Sequence, residues 1–262
     1  MKNKIALALL GLMSLGLTGC GTKMSIYADA DKYTAGNVEI ADVEVKKINV
    51  DWISGSVALV EDENAVGVNI YEETTLTDEK ALVHSYYHDG VLNVKYFASG
   101  YWCRQFNYKK DLTITYKPGL EALNIELTSG SFKAENLHAN DCDIDLTSGS
   151  ANIKYLVADD VDIELTSGSV NIDKLNTKSL KADLTSGKVG IGFEAVEKAS
   201  FELTSGTINM GLPVDGGAVK VSKTSGKVVA NRECTISENT YKFGSGTADI
   251  RVKMTSGTLT ID

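Results

Sequence analysis

The tripeptide Thr-Ser-Gly begins at Thr128, Thr147, Thr166, Thr185, Thr204 and Thr224, at spacings of 19, 19, 19, 19 and 20 residues. A degenerate copy, Gly244-Ser245-Gly246, stands 20 residues further on, and a last Thr-Ser-Gly starts at Thr255. An isolated relative, Ile53-Ser54-Gly55, lies far upstream. A fixed period of this length marks a chain built from stacked repeats. A β-sandwich has no need of identical turns at constant spacing.

With each Thr as position zero, apolar residues recur at −5, −3, −1, +4, +6 and often +9. In one copy they are Val161, Ile163, Leu165, Val170, Ile172 and Leu175; in another, Cys142, Ile144, Leu146, Ala151, Ile153 and Leu156. The upstream copy follows with Ile48, Val50, Trp52, Val57 and Leu59. Alternation within each half is strand periodicity. The parity slips between −1 and +4, so two short strands meet at a corner that holds Ser-Gly, where glycine tolerates a positive φ. A unit of this size cannot bury its apolar edge alone, but stacked units bury all of them in one column, about 4.8 Å apart. The expected fold is all-β: a single-domain β-solenoid (β-helix) of 19–20-residue, two-strand rungs over residues 37–262, regular over 120–262. Hydrogen-bonded ladders of the repeated Thr and Ser side chains are expected along the corner.

Ahead of the array the N-terminal part is irregular. Strands are expected at 38–40, 43–50 and 66–70, then a hairpin of 82–87 and 91–97 around Asp89-Gly90, then 112–116 before Pro118-Gly119. Residues 71–80 read as a loop. These elements should form longer coils that close one end, and the short last unit ending in Asp262 should close the other.

The chain opens with Lys2 and Lys4, an apolar run from Ile5 to Leu17, and Leu17-Thr18-Gly19-Cys20. The run is too short for a membrane span. The sequence resembles a bacterial lipobox, which implies a signal peptide over 1–19 and a lipid on Cys20. The membrane is then a partner through Cys20, and the protein is extracytoplasmic. The small, polar stretch 20–36 reads as a tether. Cys103, Cys142 and Cys234 remain. Cys142 is at an inward position, and Cys103 and Cys234 are candidates for a disulfide.

The formal charge is −9, and −11 without Lys2 and Lys4, which argues against nucleic acid as a partner. Position −2, outward on this reading, holds Glu126, Asp145, Glu164, Asp183 and Glu202. Such a carboxylate column suits a cationic peptide or divalent ions; a plain solvated strip is the alternative. Asp143 and Asp162 widen it and Lys181 interrupts it. Nine of the nineteen aromatics fall between 86 and 116, and Tyr101, Trp102 and Phe106 occupy the least strand-like stretch there. They either pack the irregular end of the solenoid or make contact with an envelope glycan or a protein partner. His84 and His88 lack an evident third ligand, so no metal site is expected. No P-loop, nucleophile elbow, zincin or dinucleotide motif occurs, and no cofactor is implied. The chain reads as a lipid-anchored binding or adhesion module, or alternatively as an envelope structural or stress-response component that binds cationic peptides or divalent cations through the acidic column, and not as an enzyme.

The lipobox, the Ser54 strand pair, Pro118-Gly119 and the run LTSGS, LTSGS, LTSGS, LTSGK, LTSGT resemble the DUF4097 group of cell-envelope proteins over residues 38–262. The resemblance implies a solenoid at the envelope, and adhesion by analogy. It carries no catalytic residues.

Overall fold

The computed structural model describes residues 25–262. The expected signal peptide and Cys20 lie outside the described residues. Fifteen strands form one sheet that wraps on itself in a β-solenoid-like stack. The centre of the stack is β9 (Leu120–Gly211), 92 residues that stay strand-paired through successive corners. β9 coils because each passage through the repeat lies against the passage before. Gly149 packs on Gly130, Gly168 on Gly149, Gly187 on Gly168 and Gly206 on Gly187. Every inward position named above is buried, in one continuous apolar core from Val45 to Ile261.

Two strands before the array set its first register. β3 (Lys47–Trp52) and β4 (Ser56–Glu61) both pair parallel with β9, Trp52 opposite Leu127 and Val57 opposite Phe132. The coil outside them is formed by β7 (Val91–Lys95), parallel to β3, and β8 (Lys110–Tyr116), parallel to β4. Antiparallel strands then cover both halves of that end. β6 (His84–His88) lies on β7 and β1 (Thr34–Ala35) on β6, while β5 (Val68–Thr74) lies on β8 and β2 (Val38–Ile40) on β5. The Asp89-Gly90 hairpin forms, with both residues at positive φ (48° and 80°), as a tight primed turn requires.

Several expectations need correction. Residues 71–74 are strand, because β5 runs on to pair Thr74 with Lys110. Residues 25–36 do not hang free. Tyr27 and Tyr33 pack with tilted rings, centroids 4.7 Å apart, Tyr27 Oη donates to the Phe97 carbonyl at 3.0 Å, and β1 joins the sheet.

The third correction concerns the far end. There, β10 (Gly216–Lys223) and β11 (Lys227–Ala230) do not stack on β9. The last strands, β14 (Ala248–Met254) and β15 (Thr258–Ile261), are inserted between them and β9. The glycine column therefore runs Gly206–Gly257–Gly226, out of chain order. The β10 half of that end is covered by β13 (Thr240–Gly244) on β10 and β12 (Thr235–Ser237) on β13, not by the last unit. Burying the chain's final strand inside the stack leaves it no open edge.

The fourth concerns the corner itself, which is held by backbone. Ser129 N donates to Ile53 O at 2.7 Å and Ser256 N to Thr204 O at 2.9 Å. Among the described residues no hydrogen bond joins one repeat's Thr or Ser side chain to another's; Ser225 Oγ donates instead to the Thr255 carbonyl. Cys103, Cys142 and Cys234 are all free thiols. Cys103 precedes β8 and Cys234 precedes β12, at opposite ends of the stack, so they form no disulfide.

Candidate functional site: a lysine-bounded acidic column

The register of the sheet decides which side chains share a column. Asp51 is opposite Glu126, and Lys95 is opposite Asp51. At the other end Lys253 is opposite Glu202. Inside β9 the 19-residue spacing carries Glu126 onto Asp145, Glu164, Asp183 and Glu202. The five carboxylates expected to align do so, and the structure adds a sixth, Asp51, and a lysine at each end. Lys95 Nζ reaches Asp51 Oδ2 at 3.4 Å and Lys253 Nζ reaches Glu202 at 3.4 Å. The column is bounded, not open-ended.

Between those ends the charge is weakly compensated. Neighbouring like charges about 4.8 Å apart repel by about 0.9 kcal/mol per pair even at the dielectric constant of water. Asp145, in the middle, has its carboxyl pushed up to about 6. Crowding out of solvent is the largest cause, followed by Glu164, Glu126, Asp143 and Asp162. Asp143 is raised in the same direction, by burial and then Asp162. Lys181 relieves the strip locally, 2.7 Å from Asp183 and 3.7 Å from Asp162. The parallel column at −4 begins as an amide ladder. Asn49 Nδ2 donates to Asn93 Oδ1 at 2.9 Å, and the Asn124 amide lies next in the row, its Nδ2 donating to Asp143 Oδ2 at 3.1 Å.

Two shallow grooves flank the column. One of about 360 Å³ is lined by Glu164, Asp183, Glu202 and Lys253 on one side and by the repeat threonines on the other. The other, about 350 Å³, lies between Asp51, Glu126 and Asp145 and is bordered by Ser25. The threonines expected to bond each other are thus the far wall of a trough whose near wall is carboxylate. Among the described residues no group of three His, Cys, Asp or Glu side chains is placed to hold a metal ion. The carboxylates form a row, not a cage.

The aromatic candidates separate. Trp102 and Phe106 are exposed on the 98–109 loop. Tyr101, expected beside them, is half-buried. Its ring packs edge-on to Phe97 at 5.5 Å and its hydroxyl donates to Asp78 at 2.9 Å, so it fastens the loop and is not a free contact. His84 is buried with Nδ1 on the Leu82 carbonyl at 3.0 Å, whereas His88 is exposed beside Asp89.

Sequence reasoning missed a buried ion pair at this end. Lys110 and Glu72 are both wholly buried and bonded to each other. Lys110 Nζ also donates to Ala81 O and sits about 5 Å from the rings of Trp52, Tyr96 and Phe97, at 5.3, 4.8 and 5.1 Å. Loss of solvent pushes the ammonium down to about 8, against the opposing pull of Glu72. Glu72 in turn accepts from Val83 N at 2.9 Å. The pair ties β5, β8 and the 76–83 connection together.

Fold and site together define a repeat-built, all-β protein that carries a polar, carboxylate-lined face. The chain belongs to the Toastrack DUF4097 family, whose model matches residues 30–262. No curated protein matches it. Among solved structures it is similar to a "putative adhesin" from Parabacteroides distasonis at 15% identity and a TM-score of 0.49, over 88% of this chain and 97% of that one. It is also similar to a "putative cell adhesion protein" from Clostridium sporogenes at 17% identity and a TM-score of 0.39, over 88% and 99% of the two chains. No helix among the described residues is long and apolar enough to cross a membrane.

Proposed function

We propose that this protein is a non-enzymatic, extracytoplasmic binding module, anchored through a lipid on Cys20, whose working surface is the lysine-bounded acidic column. On this reading the domain is a solenoid of 19–20-residue rungs, of which the six from Asp51 to Glu202 each add one carboxylate to the column. The observation that carries it is the alignment of six carboxylates, from Asp51 to Glu202, where burial first and the neighbouring carboxylates second lift Asp145 to about 6. A merely solubilising surface gains nothing from placing like charges in one row. A partner that brings positive charge at the same spacing relieves the repulsion along the whole row. Weak contacts repeated along a rod add through avidity. The partner class is an extended cationic polymer or peptide. The bounding lysines favour it over a string of independent cations, because they fix where the partner must stop.

The test is fluorescence anisotropy of a labelled oligolysine against the folded chain. The comparison is a variant with Glu126, Asp145, Glu164, Asp183 and Glu202 changed to their amides. Loss of binding with retained β circular dichroism supports the reading. Equal binding by the variant contradicts it. Neutralising five exposed carboxylates outside the column, Glu135, Asp173, Glu194, Glu197 and Glu233, is the control for net charge.

A further inference from the structure

The 98–109 loop presents two large apolar side chains to solvent, Trp102 at 52% and Phe106 at 85% exposure, with Arg104 exposed between them. Large aromatics this open are unused by the core. The same loop is bonded to the first described residues of the chain. Gly100 N donates to Ser25 O at 2.8 Å, Tyr27 N to Ser99 Oγ at 3.1 Å, and Ser99 Oγ to Tyr27 O at 3.2 Å. Between them stands Ile26, 75% exposed. Three exposed apolar side chains therefore sit on two backbone segments held together at one end of the stack.

That end is where the lipid would be. Only residues 21–24 separate Cys20 from Ser25. Five Cα steps span at most about 18 Å at full stretch. The tether read from composition over 20–36 is thus replaced by a short link, because the chain is already fastened to the body at Ser25 and Tyr27. Aromatic side chains beside Arg are the residues that settle at the headgroup level of a bilayer. One insertion of this size is weak alone. A lipid on the same chain turns it into an intramolecular event at high effective concentration.

We infer that Ile26, Trp102 and Phe106 form a lipid-facing foot that seats the N-terminal end of the solenoid on the bilayer beside the lipidated Cys20. This rests on the anchored reading above and adds to it the partner of the aromatic loop, a lipid surface. The foot fixes the rod's orientation. The first groove of the acidic column, bordered by Ser25, is then nearest the membrane, and the Lys253 end is farthest from it.

The chain has two tryptophans, Trp52 and Trp102, and Trp52 is wholly buried. Full-length protein is extracted from membranes, and the mass of Cys20 is measured. It is then reconstituted in phosphatidylethanolamine–phosphatidylglycerol vesicles whose acyl chains carry bromine near the headgroup. Trp102→Phe supplies the Trp52 background. The expected result is a lipid on Cys20, a blue shift, loss of Trp102 emission to bromine, and shielding from aqueous iodide. Ile26→Asp with Phe106→Asp should keep the lipid and lose the quenching. A lipidated chain whose Trp102 is unquenched and open to iodide overturns the foot and leaves the anchor standing. An unmodified Cys20 overturns the anchor and the foot together. Protection of Trp102 by a soluble envelope glycan, without bromine quenching, assigns the loop to a glycan and overturns the lipid assignment.

Discussion

The glycine column gives a quantitative test of the stack. Gly168 has φ +132°, and a Cβ added there would lie 2.8 Å from Gly149 N, with the Gly149 carbonyl oxygen nearer still. Backbone cannot swing aside as a long side chain can, so Gly168→Ala must open the ladder between two coils. Gly119 isolates the other component of the cost. Its φ is +124°, but an added Cβ there meets nothing within 4 Å. Both substitutions incur the left-handed backbone strain, about 1–3 kcal/mol. Only Gly168→Ala also disrupts inter-coil hydrogen bonds, each worth about 1 kcal/mol net. The expected difference is about 2 kcal/mol. For a chain of this size that is roughly 4–8 °C in the thermal midpoint, at about 2–4 °C per kcal/mol. The assay is circular dichroism melting of both variants and the parent, with urea titration as a second measure. Equal losses would refute the reasoning, because strain alone would then explain both and the close backbone approach would be immaterial.

Three further outcomes are expected. Asp145 holds its proton to about pH 6 in the fold. The native state therefore binds more protons than the unfolded chain between its ordinary pKa and about 6, and stability falls as pH rises through that window. Melting from pH 4 to pH 7 should show this fall in the parent and a smaller one in Asp145→Asn; identical slopes would contradict it. Lys110→Met leaves the Glu72 carboxylate buried without its cation and should cost about 3–5 kcal/mol in urea titration, whereas Lys110→Met with Glu72→Leu should cost less. If the double variant is worse than the single, the pair is not the unit described. Ending the chain after Gly246 removes β14 and β15, which separate β10 and β11 from β9. Hydrogen exchange should then show β10 amides unprotected, with β9 protected except at its exposed end.

How much of this was legible in the sequence depends on the repeat. Inward positions and the column from Glu126 to Glu202 follow from period and parity alone. Asp51 and Lys253 were legible by the same rule, since they stand at −2 from Ile53 and Thr255. Lys95 was not, because it reaches the column only through the pairing of β7 with β3, outside the array. The order of the last coils was hidden because spacing along the chain records sequence neighbours. The step from Thr204 to Thr224 looks like one more coil, yet Thr255 lies between them in space. The bond between Glu72 and Lys110 joins strands with no repeat and 38 residues apart. Residues 25–36 looked like a tether because polar composition does not show that Tyr27 and Tyr33 have a surface to pack against.

The most direct test of the central claim is the length dependence of oligolysine binding to the folded chain. Six carboxylates in five steps of about 4.8 Å span about 24 Å, and an extended peptide advances about 3.3 Å per residue. Affinity should rise with each lysine up to about eight residues and then level off, and should weaken below pH 6 as Asp145 takes up its proton. Affinity that keeps growing with length, or that survives neutralisation of the column, would show that the partner follows overall negative charge and not the bounded row.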